Sequence, residues 1–415
     1  MPNPATSSSS GPSSANPIRG PRNLSVDDAR ARMLARAAAL PAEAVALAEA
    51  DGRVLAEAVA ATRNQPPFDA SAMDGWAVRR ADVGQAATLI VVGESAAGRG
   101  YAPTLLTGEA VRIFTGAPVP AGADLVVIQE NAERDGDLVR MGPVEGAGDN
   151  IRPRGGDFRA GAVLLESGTR LDPWRLSLTA AAGRASVQVA RRPRIAVLAT
   201  GEELAAPGTE AGRFQIYESG SAGLLPMIRR WGGTPTRLAS TGDNADAIAA
   251  AVRDIEADVI VTVGGASVGD YDLVKPALAT LGLELDVETV NVRPGKPTWF
   301  GRLGDGRLVL GLPGNPASAF VCAELFLRPL VLALQGATRA LHLDTARLAA
   351  PLPANGPREH WMRARFGPDG VTPFADQDSS LVTVFAAADA LLRRLPGAPT
   401  ARAGETVDIL RLDRA

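Results

Sequence analysis

Residues 259–270 read VIVTVGGASVGD, in which a nearly unbroken apolar run ends in a glycine-rich turn. The pattern recurs as IAVLATGEE at 195–203 and as LVLGLPGNP at 308–316. Such runs are typical of strands buried on both faces of a parallel sheet. Patterns with helical spacing lie between and after them, at 221–231, 245–256, 272–281 and 317–334. This alternation predicts a central, doubly wound parallel-sheet α/β domain over residues 191–336.

The three glycine-rich turns predict a single ligand crevice. In an open parallel sheet, ligands bind beyond the carboxyl ends of the strands, where these turns lie. Glycine lets backbone amides approach an anion, and helix N-termini favour negative charge. A single glycine-rich turn between a strand and a helix is common and implies no ligand, but three in one domain favour an anion site. The residues concerned are Gly264, Gly265, Pro313 and Asn315, and Asn315 with Pro316 also forms a good N-cap and N1 pair.

Lysine usage points to the same region. The chain has 41 arginines and two lysines, Lys275 and Lys296. Arginine-rich usage is typical of a genome bias that exchanges surface lysine for arginine. The two remaining lysines are therefore candidates for places that need a compact ammonium. The alternative is that two lysines remained by chance. Both, however, lie beside glycine-rich turns, and Lys296 lies within RPGKP at 293–297.

The turn after residue 264 carries further groups for handling an anion. Ser267 supplies a hydroxyl, and Asp270 and Asp272 place two carboxylates at the start of a helix. Carboxylates there either cap the helix or hold a hard cation such as Mg²⁺. The pattern leaves both interpretations open.

Composition excludes several classes of protein. The chain has 415 residues, 46% of them hydrophobic, and a net charge of −3, so neither a disordered chain nor a nucleic-acid partner is expected. No run of 18 uncharged apolar residues occurs, so we expect no membrane span. The single cysteine excludes an intrachain disulfide, and the two histidines, both late in the chain, argue against a histidine-based triad or a multi-histidine metal centre. Carboxylates, hydroxyls, backbone amides and cations are left to carry the chemistry.

Three further regions flank the α/β domain. Residues 1–18 are rich in Ser and Pro and lack a signal-peptide pattern, so we expect a disordered tail and a cytoplasmic location. Residues 19–190 predict an elongated N-terminal region that opens with a helix capped by Ser25. Short apolar runs broken by Gly and Pro predict a β module inserted at about 50–145. Residues 337–415 predict a small C-terminal β-barrel.

Eight motifs, in order, resemble one family. They are FDASAMDGWAV (68–78), RIFTGAPVP (112–120), NIRPRGGD (150–157), RIAVLATGEEL (194–204), QIYES (215–219), GGASVGDYD (264–272), PGKP (294–297) and GLPGNP (311–316). Together they are similar to the MoeA family of molybdopterin molybdenumtransferases, which is related to the E domain of gephyrin. The resemblance covers roughly residues 19–412.

The resemblance implies an enzyme of molybdenum cofactor biosynthesis, a molybdopterin molybdotransferase. Such an enzyme inserts molybdate into adenylylated molybdopterin with Mg²⁺ and releases AMP. The catalytic residues implied are Asp69, Thr115, Glu203, Asp243, Asp272 and Lys275, with Asp243 and Asp272 as Mg²⁺ ligands. The substrate-binding residues implied are Ser267, Gly264, Gly265, Arg293, Lys296, Pro297, Pro313 and Asn315, together with Arg363 or Arg365 and Ser379 or Ser380; Arg363 and Ser379 are preferred.

The resemblance also implies a homodimer in which the β module of one subunit covers the α/β crevice of the other. The expected ligands are small anions, and a molybdopterin adenylyltransferase and molybdoenzyme chaperones are candidate partners. One alternative is a molybdopterin adenylyltransferase, whose single domain resembles residues 194–335; the N- and C-terminal modules argue against it. The other alternative is a dimeric scaffold like the gephyrin E domain; the intact charged motifs argue against that.

Overall fold

A computed structural model describes residues 19–84, 87–143, 148–239, 244–264, 273–338 and 341–412. The chain divides into two compact units. Unit 1 comprises Met1–Glu43, Gly52–Ala56 and Ala190–Ala415, and unit 2 comprises Ala44–Asp51 and Glu57–Val189. The α-helices of the described residues are α1 (Val26–Leu34), α2 (Pro173–Ala181), α3 (Gly220–Arg230), α4 (Ala245–Arg253), α5 (Val274–Ala279), α6 (Pro316–Cys322), α7 (Arg328–Leu334) and α8 (Val382–Ala387).

The N-terminal part of the chain holds the predicted β module. Strands β4 to β9 form a sheet in the order β7-β4-β6-β5-β9-β8. Trp76 and Val78 face one apolar cluster and Ala77 faces another, so both faces of the sheet are covered. The strands of this region are β1 (Ala42–Ala46), β2 (Val59–Ala60), β3 (Ala70–Ser71), β4 (Gly75–Val78), β5 (Thr88–Ser95), β6 (Glu109–Ile113), β7 (Leu125–Ile128), β8 (Ala132–Asp135), β9 (Leu138–Met141), β10 (Ile151–Arg152), β11 (Val163–Leu165) and β12 (Ser186–Ala190).

A second sheet forms the centre of unit 1, in the order β16-β13-β17-β21-β20-β18. The first four strands run parallel, and β20 and β18 are antiparallel to their neighbours. The three strands predicted from the sequence, β13, β17 and β21, lie side by side in its middle. The strands of this part are β13 (Arg194–Ala199), β14 (Leu204–Ala205), β15 (Ile216–Tyr217), β16 (Thr234–Arg237), β17 (Val259–Val263), β18 (Glu284–Val287), β19 (Val292–Arg293), β20 (Trp299–Arg302) and β21 (Leu308–Leu312).

Helices cover both faces of this sheet, which confirms the doubly wound architecture. Along β17, Val259, Val261 and Val263 pack into one core cluster with α3, α6 and α7. Ile260 points the other way, into a cluster with α4 and α5. An uninterrupted apolar run is what a strand buried on both faces requires.

The stretch Pro316–Leu334 combines α6, a π-helical turn at Ala323–Leu327 and α7. It is long and apolar enough to cross a membrane by length and composition, and 89% of its most apolar window is buried within the protein. Its two charged side chains, Glu324 and Arg328, pair with each other at 3.1 Å. Packing against the sheet explains its apolar character, because it supplies much of the unit 1 core.

The C-terminal strands close into the predicted barrel. They pair in the order β22-β26-β25-β23-β24, and a bridge from Leu348 to Val371 links the end of β22 back to β24. Strand β19 adds to β23, so Arg293 lies beside His360. The strands are β22 (Asp344–Arg347), β23 (Glu359–Gly367), β24 (Gly370–Pro373), β25 (Ala390–Arg394) and β26 (Thr406–Arg411).

Candidate functional site

Three glycine-rich loops meet at the carboxyl ends of β13, β17 and β21, as predicted. A Cβ at Gly264 would lie 2.5 Å from the carbonyl oxygen of Thr200, and a Cβ at Gly314 would lie 3.4 Å from the Cα of Gly264. Gly264 has a φ of +94°, in the left-handed region that favours glycine. The backbones of the three loops are therefore in direct contact.

These loops form one wall of a cavity of ≈ 970 Å³ in unit 1. The lining also includes the loop at 293–297, named here the anion loop, and the segment before α8. The lining is rich in glycine, hydroxyl and cationic groups. Of the predicted site residues it includes Glu203, Gly264, Arg293, Lys296, Pro297, Pro313, Asn315 and Ser379.

Glu203 lies over the first loop. A Cβ at Gly201 would be 2.5 Å from its Oε2, so the carboxylate covers the backbone of that glycine. Gly201 has a φ of +146°. Glu203 itself is exposed to solvent at the cavity, where it is available to a cation or a hydrogen-bond donor.

The anion loop brings positive charge to the cavity. Arg293 and Lys296 are both exposed and both line it. Arg358, which the sequence analysis did not single out, joins them from the segment that precedes β23. Three cations around glycine backbone are suited to an oxyanion, since charge-assisted hydrogen bonds are the strongest available donors for it.

The C-terminal segment contributes hydroxyls. Asn315 occupies the N-cap position of α6, but its side chain makes no cap bond; its Nδ2 donates to the Oγ of Ser379 at 2.8 Å. The carbonyl oxygen of Ser379 accepts from the amide of Ala317 at 3.2 Å. Asn315 and Pro316 thus occupy the N-cap and N1 positions of α6, as expected, while the Asn315 side chain bonds Ser379. Ser380 also lines the cavity and bonds Asp378 through its hydroxyl.

Arg363 lies behind this segment and not in the lining. Its side chain is fully buried, and its Nη2 donates to the carbonyl oxygen of Asp378 at 2.8 Å, while Nε and Nη1 have no partner. Burial lowers the pKa of its guanidinium, and the charge of Arg293 adds to this effect. Arg365, the alternative, is exposed, and its Cζ lies 5.7 Å from the ring centroid of Phe374.

Lys275 lies apart from the described lining. Its Nζ is 5.7 Å from the ring centroid of Trp299, which is buried in the cluster on the α4 and α5 face. Among the described residues, the geometry thus places Lys296 in the cavity and Lys275 against an aromatic ring.

Four predicted site residues lie outside the described residues: Asp243, Gly265, Ser267 and Asp272. Both predicted Mg²⁺ ligands are among them. Within the described ranges, no group of three or more His, Cys, Asp or Glu side chains is arranged to hold a metal ion. The Mg²⁺ site therefore stays a prediction.

Unit 2 carries the remaining predicted residues. The Oδ1 of Asp74 accepts from both the amide and the hydroxyl of Thr115, at 2.7 and 2.8 Å. These two bonds hold the pKa of the Asp74 carboxyl below its usual range, with a smaller contribution from Arg112. Asp69 accepts from the amide of Arg154 at 2.7 Å. Two carboxylates of the motif at 68–78 thus hold the motifs at 112–120 and 150–157 in place by hydrogen bonds.

Sequence reasoning missed two lining residues. Arg358 is one of 41 arginines and has no distinguishing pattern around it. Glu218 stands in the QIYES motif but was given no role; it is buried, and its carboxylate accepts from the amide of Ser221 at 2.7 Å and pairs with Arg237 at 3.1 Å. The motif was the signal that could have identified it as the group that holds the start of α3.

Known proteins match along most of the chain. Family models match residues 24–183 (MoeA N-terminal region, domains I and II), 196–333 (probable molybdopterin binding domain) and 345–412 (MoeA C-terminal region, domain IV). A molybdopterin molybdenumtransferase from Bacillus subtilis is 34% identical over 387 residues, which cover 89% of each protein. One from a Nostoc species is 37% identical over 305 residues, 71% of this chain and 70% of the relative. The crystal structure of the molybdopterin biosynthesis MoeA protein from Pyrococcus horikoshii superposes with a TM-score of 0.80 at 29% identity, over 95% of this chain and all of that one.

Fold and site together define a MoeA-type protein, with a molybdopterin-binding-like α/β domain between an N-terminal β region and a C-terminal barrel. The chain belongs to the family of molybdopterin molybdenumtransferases. This membership makes it a transferase of molybdenum cofactor biosynthesis.

Proposed function

We propose that this chain inserts molybdate into adenylylated molybdopterin with Mg²⁺ present, releasing AMP. The observation that carries the proposal is the cavity at the sheet edge, where glycine backbone, three cations and the serine hydroxyls of the C-terminal segment face one another. All the substrates are anions: molybdate, a pyrophosphate linkage and a pterin phosphate. Such ligands need short hydroxyl, amide and cationic donors, which is what the lining offers.

Molybdate is assigned to the end of the cavity between the anion loop and the C-terminal segment. Arg293, Lys296 and Ser379 would bind it there, with Pro297 shaping the loop. Asn315 would orient the Ser379 hydroxyl through the bond between them. Arg363 would act from behind, by holding the backbone at Asp378.

The nucleotide is assigned to the glycine-rich end, beside Glu203 and Gly264. Asp243 and Asp272 would hold Mg²⁺, since carboxylate oxygens are its preferred protein ligands. The ion would neutralise charge on the phosphates during cleavage of the anhydride. Positioning and neutralisation are the main requirements of such a reaction, so the scarcity of His and Cys is compatible with it.

We further propose a homodimer with composite sites, located in the cytoplasm. Asp69 and Thr115 lie in unit 2, whereas the cavity lies in unit 1. A second subunit that presents its unit 2 to this cavity would bring the two sets together. A molybdopterin adenylyltransferase and molybdoenzyme chaperones would be the protein partners.

The test is incubation of the purified protein with adenylylated molybdopterin, Mg²⁺ and molybdate, following AMP and active cofactor together. The proposal expects both products to rise in parallel. ATP consumption with molybdopterin would instead identify an adenylyltransferase. Absence of both reactions, with binding of partner proteins retained, would identify a scaffold.

A further inference from the structure

The chain's single cysteine lies directly beneath the anion loop. Cys322 ends α6 and is fully buried. Its Sγ fills the space that a side chain at Gly295 would need, because a Cβ built there would lie 2.1 Å from the sulfur. Gly295 has a φ of +119°, which favours glycine. The loop backbone therefore rests on the sulfur with no side chain between them.

Thr298 fastens the loop to this cysteine. Its Oγ1 lies 2.8 Å from the carbonyl oxygen of Gly295 and 3.0 Å from the Sγ of Cys322. Its amide donates to the same carbonyl oxygen at 3.0 Å. A hydroxyl has one hydrogen, so when Thr298 donates it to Gly295 the thiol can donate to Oγ1. Carbonyl, hydroxyl and thiol thus form one buried chain of contacts under Lys296.

The helix that ends at Cys322 begins in another part of the same cavity lining. Asn315 stands at the N-terminus of α6 and holds Ser379. The seven residues Pro316–Cys322 therefore span from the last glycine-rich loop to the anion loop. A helix of fixed length between these two loops fixes the distance between their ligand groups.

We propose that Cys322 and Thr298 are positioning residues that support the backbone of the anion loop. They set how far Arg293 and Lys296 extend into the cavity, and this position determines the affinity for a tetrahedral oxyanion. The inference rests on the proposed function, in which this loop binds molybdate. Burial raises the pKa of the Cys322 thiol to about 12, so the thiol acts by packing and hydrogen bonding and not as a nucleophile. Reagents reach it when the loop lifts from α6. A bound oxyanion therefore protects it.

The native protein contains its own reporter for this coupling, since Cys322 is its one thiol. The experiment measures the rate of N-ethylmaleimide labelling of the full chain by intact mass, with sodium molybdate or with sodium chloride at matched ionic strength. We expect molybdate to slow labelling about fivefold or more. In the same samples, calorimetry measures molybdate binding.

A second reporter separates loop movement from global unfolding. Ala196 is fully buried on the other face of the sheet, so Ala196→Cys in the chain that keeps Cys322, with the two labels distinguished by peptide mass, reports opening of the whole domain. Stronger protection at Cys322 than at this reporter supports the inference, and equal protection overturns it. Molybdate binding without protection also overturns it. An absence of molybdate binding would refute the proposed oxyanion site and, with it, this inference.

Substitutions test the positioning role in turnover. Cys322→Ala and Thr298→Val should raise the molybdate concentration for half-maximal cofactor formation about fivefold, with kcat nearly unchanged. Thr298→Ser retains the hydroxyl and should restore the wild-type value. Val321→Ala truncates an equally buried neighbour on α6 and should lower thermal stability without changing half-saturation. If all four variants change half-saturation alike, the effect is general packing and the inference is wrong.

Discussion

The side-chain amide of Asn315 donates to the hydroxyl of Ser379 across 2.8 Å, which joins the last loop of the α/β sheet to the segment between β24 and α8. Because Ala317 also donates its amide to the Ser379 carbonyl, the start of α6 and the C-terminal segment share one small network. The cavity is thus built from two domains of the same unit, and its shape depends on this junction.

Breaking the junction should weaken oxyanion use before it affects the fold. Asn315→Ala removes one hydrogen bond, a net contribution of about 0.5–1.5 kcal/mol. We expect a severalfold rise in the molybdate concentration for half-maximal cofactor formation. Ser380→Ala removes the neighbouring hydroxyl, whose partner is Asp378, and should have the smaller effect. An equal effect from both variants would argue against a special role for the junction.

Lys296→Arg should keep the charge but weaken molybdate use. The lysine lies in a loop fixed by flanking Pro297 and by Gly295, and a planar, longer guanidinium cannot approach a tetrahedral oxyanion in the same way. Loss of a charge-assisted bond costs about 1.5–3 kcal/mol, or roughly tenfold to a hundredfold in affinity.

The measurement is molybdate half-saturation, with thermal unfolding as the check on the fold. Arg302→Lys makes the reverse type of exchange at an exposed arginine paired with Glu284, and it serves as the control. Equal half-saturation in Lys296→Arg and wild type would mean that the lysine is not needed as a compact donor.

Asp74 should affect the rate of AMP release by orienting the hydroxyl of Thr115. Since the Thr115 hydroxyl donates its one hydrogen to Asp74, its oxygen is left to accept from a ligand. Thr115→Val should therefore lower the rate of AMP release about tenfold, and Thr115→Ser should retain it. Asp74→Ala should resemble Thr115→Val. Full activity in Asp74→Ala would show that the orientation of this hydroxyl is unimportant.

Lowering the pH should destabilise the folded protein, partly because His360 is buried and resists protonation in the folded state. It is 7% exposed, and burial, together with the charges of Arg293, Arg363 and Arg358, lowers its pKa from 6.5 to about 4. Between these values the unfolded chain takes up a proton that the folded chain does not, so stability falls as the pH drops from 6.5 to 4. His360→Gln should flatten this part of the stability curve, measured by chemical unfolding from pH 4 to 7. An unchanged slope would show that His360 does not titrate in this way.

Composite sites should allow complementation between inactive chains. Asp69→Ala affects unit 2 and Lys296→Ala affects the cavity of unit 1, so a mixed dimer of the proposed kind contains one intact site. We expect partial recovery of AMP release when the two inactive proteins exchange subunits. A lack of recovery after exchange is verified by mass would contradict the composite arrangement.

The sequence predicted the parts of the fold that depend on strong local patterns. The buried strands β13, β17 and β21 are almost entirely apolar, and each is followed within two residues by a glycine. Strand β16 is largely exposed and reads TPTR, and β20 contains Gly301, so neither has a pattern that local reasoning could detect. The parallel edge strand β16 and the antiparallel strand β20 were missed for that reason.

The site could be predicted where motif and topology coincide. The convergence of Gly201, Gly264 and Gly314 follows from strand ends that share one sheet edge. The separation of Lys275 from Lys296 could not be predicted, because it depends on which face of the sheet each segment reaches. The N-cap position of Asn315 could be predicted, but its side-chain bond to Ser379 could not, because the sequence gives no sign of a contact between residues 64 positions apart.

The proposed insertion of molybdate is best measured as the ratio of AMP released to molybdenum retained in a single turnover. Protein, adenylylated molybdopterin and Mg²⁺ are mixed with a known amount of molybdate, and both products are quantified in the same sample. We expect AMP and cofactor-bound molybdenum to appear in equal amounts, and Lys296→Arg to need more molybdate to reach them. Release of AMP with no molybdenum incorporated at any molybdate concentration would contradict it.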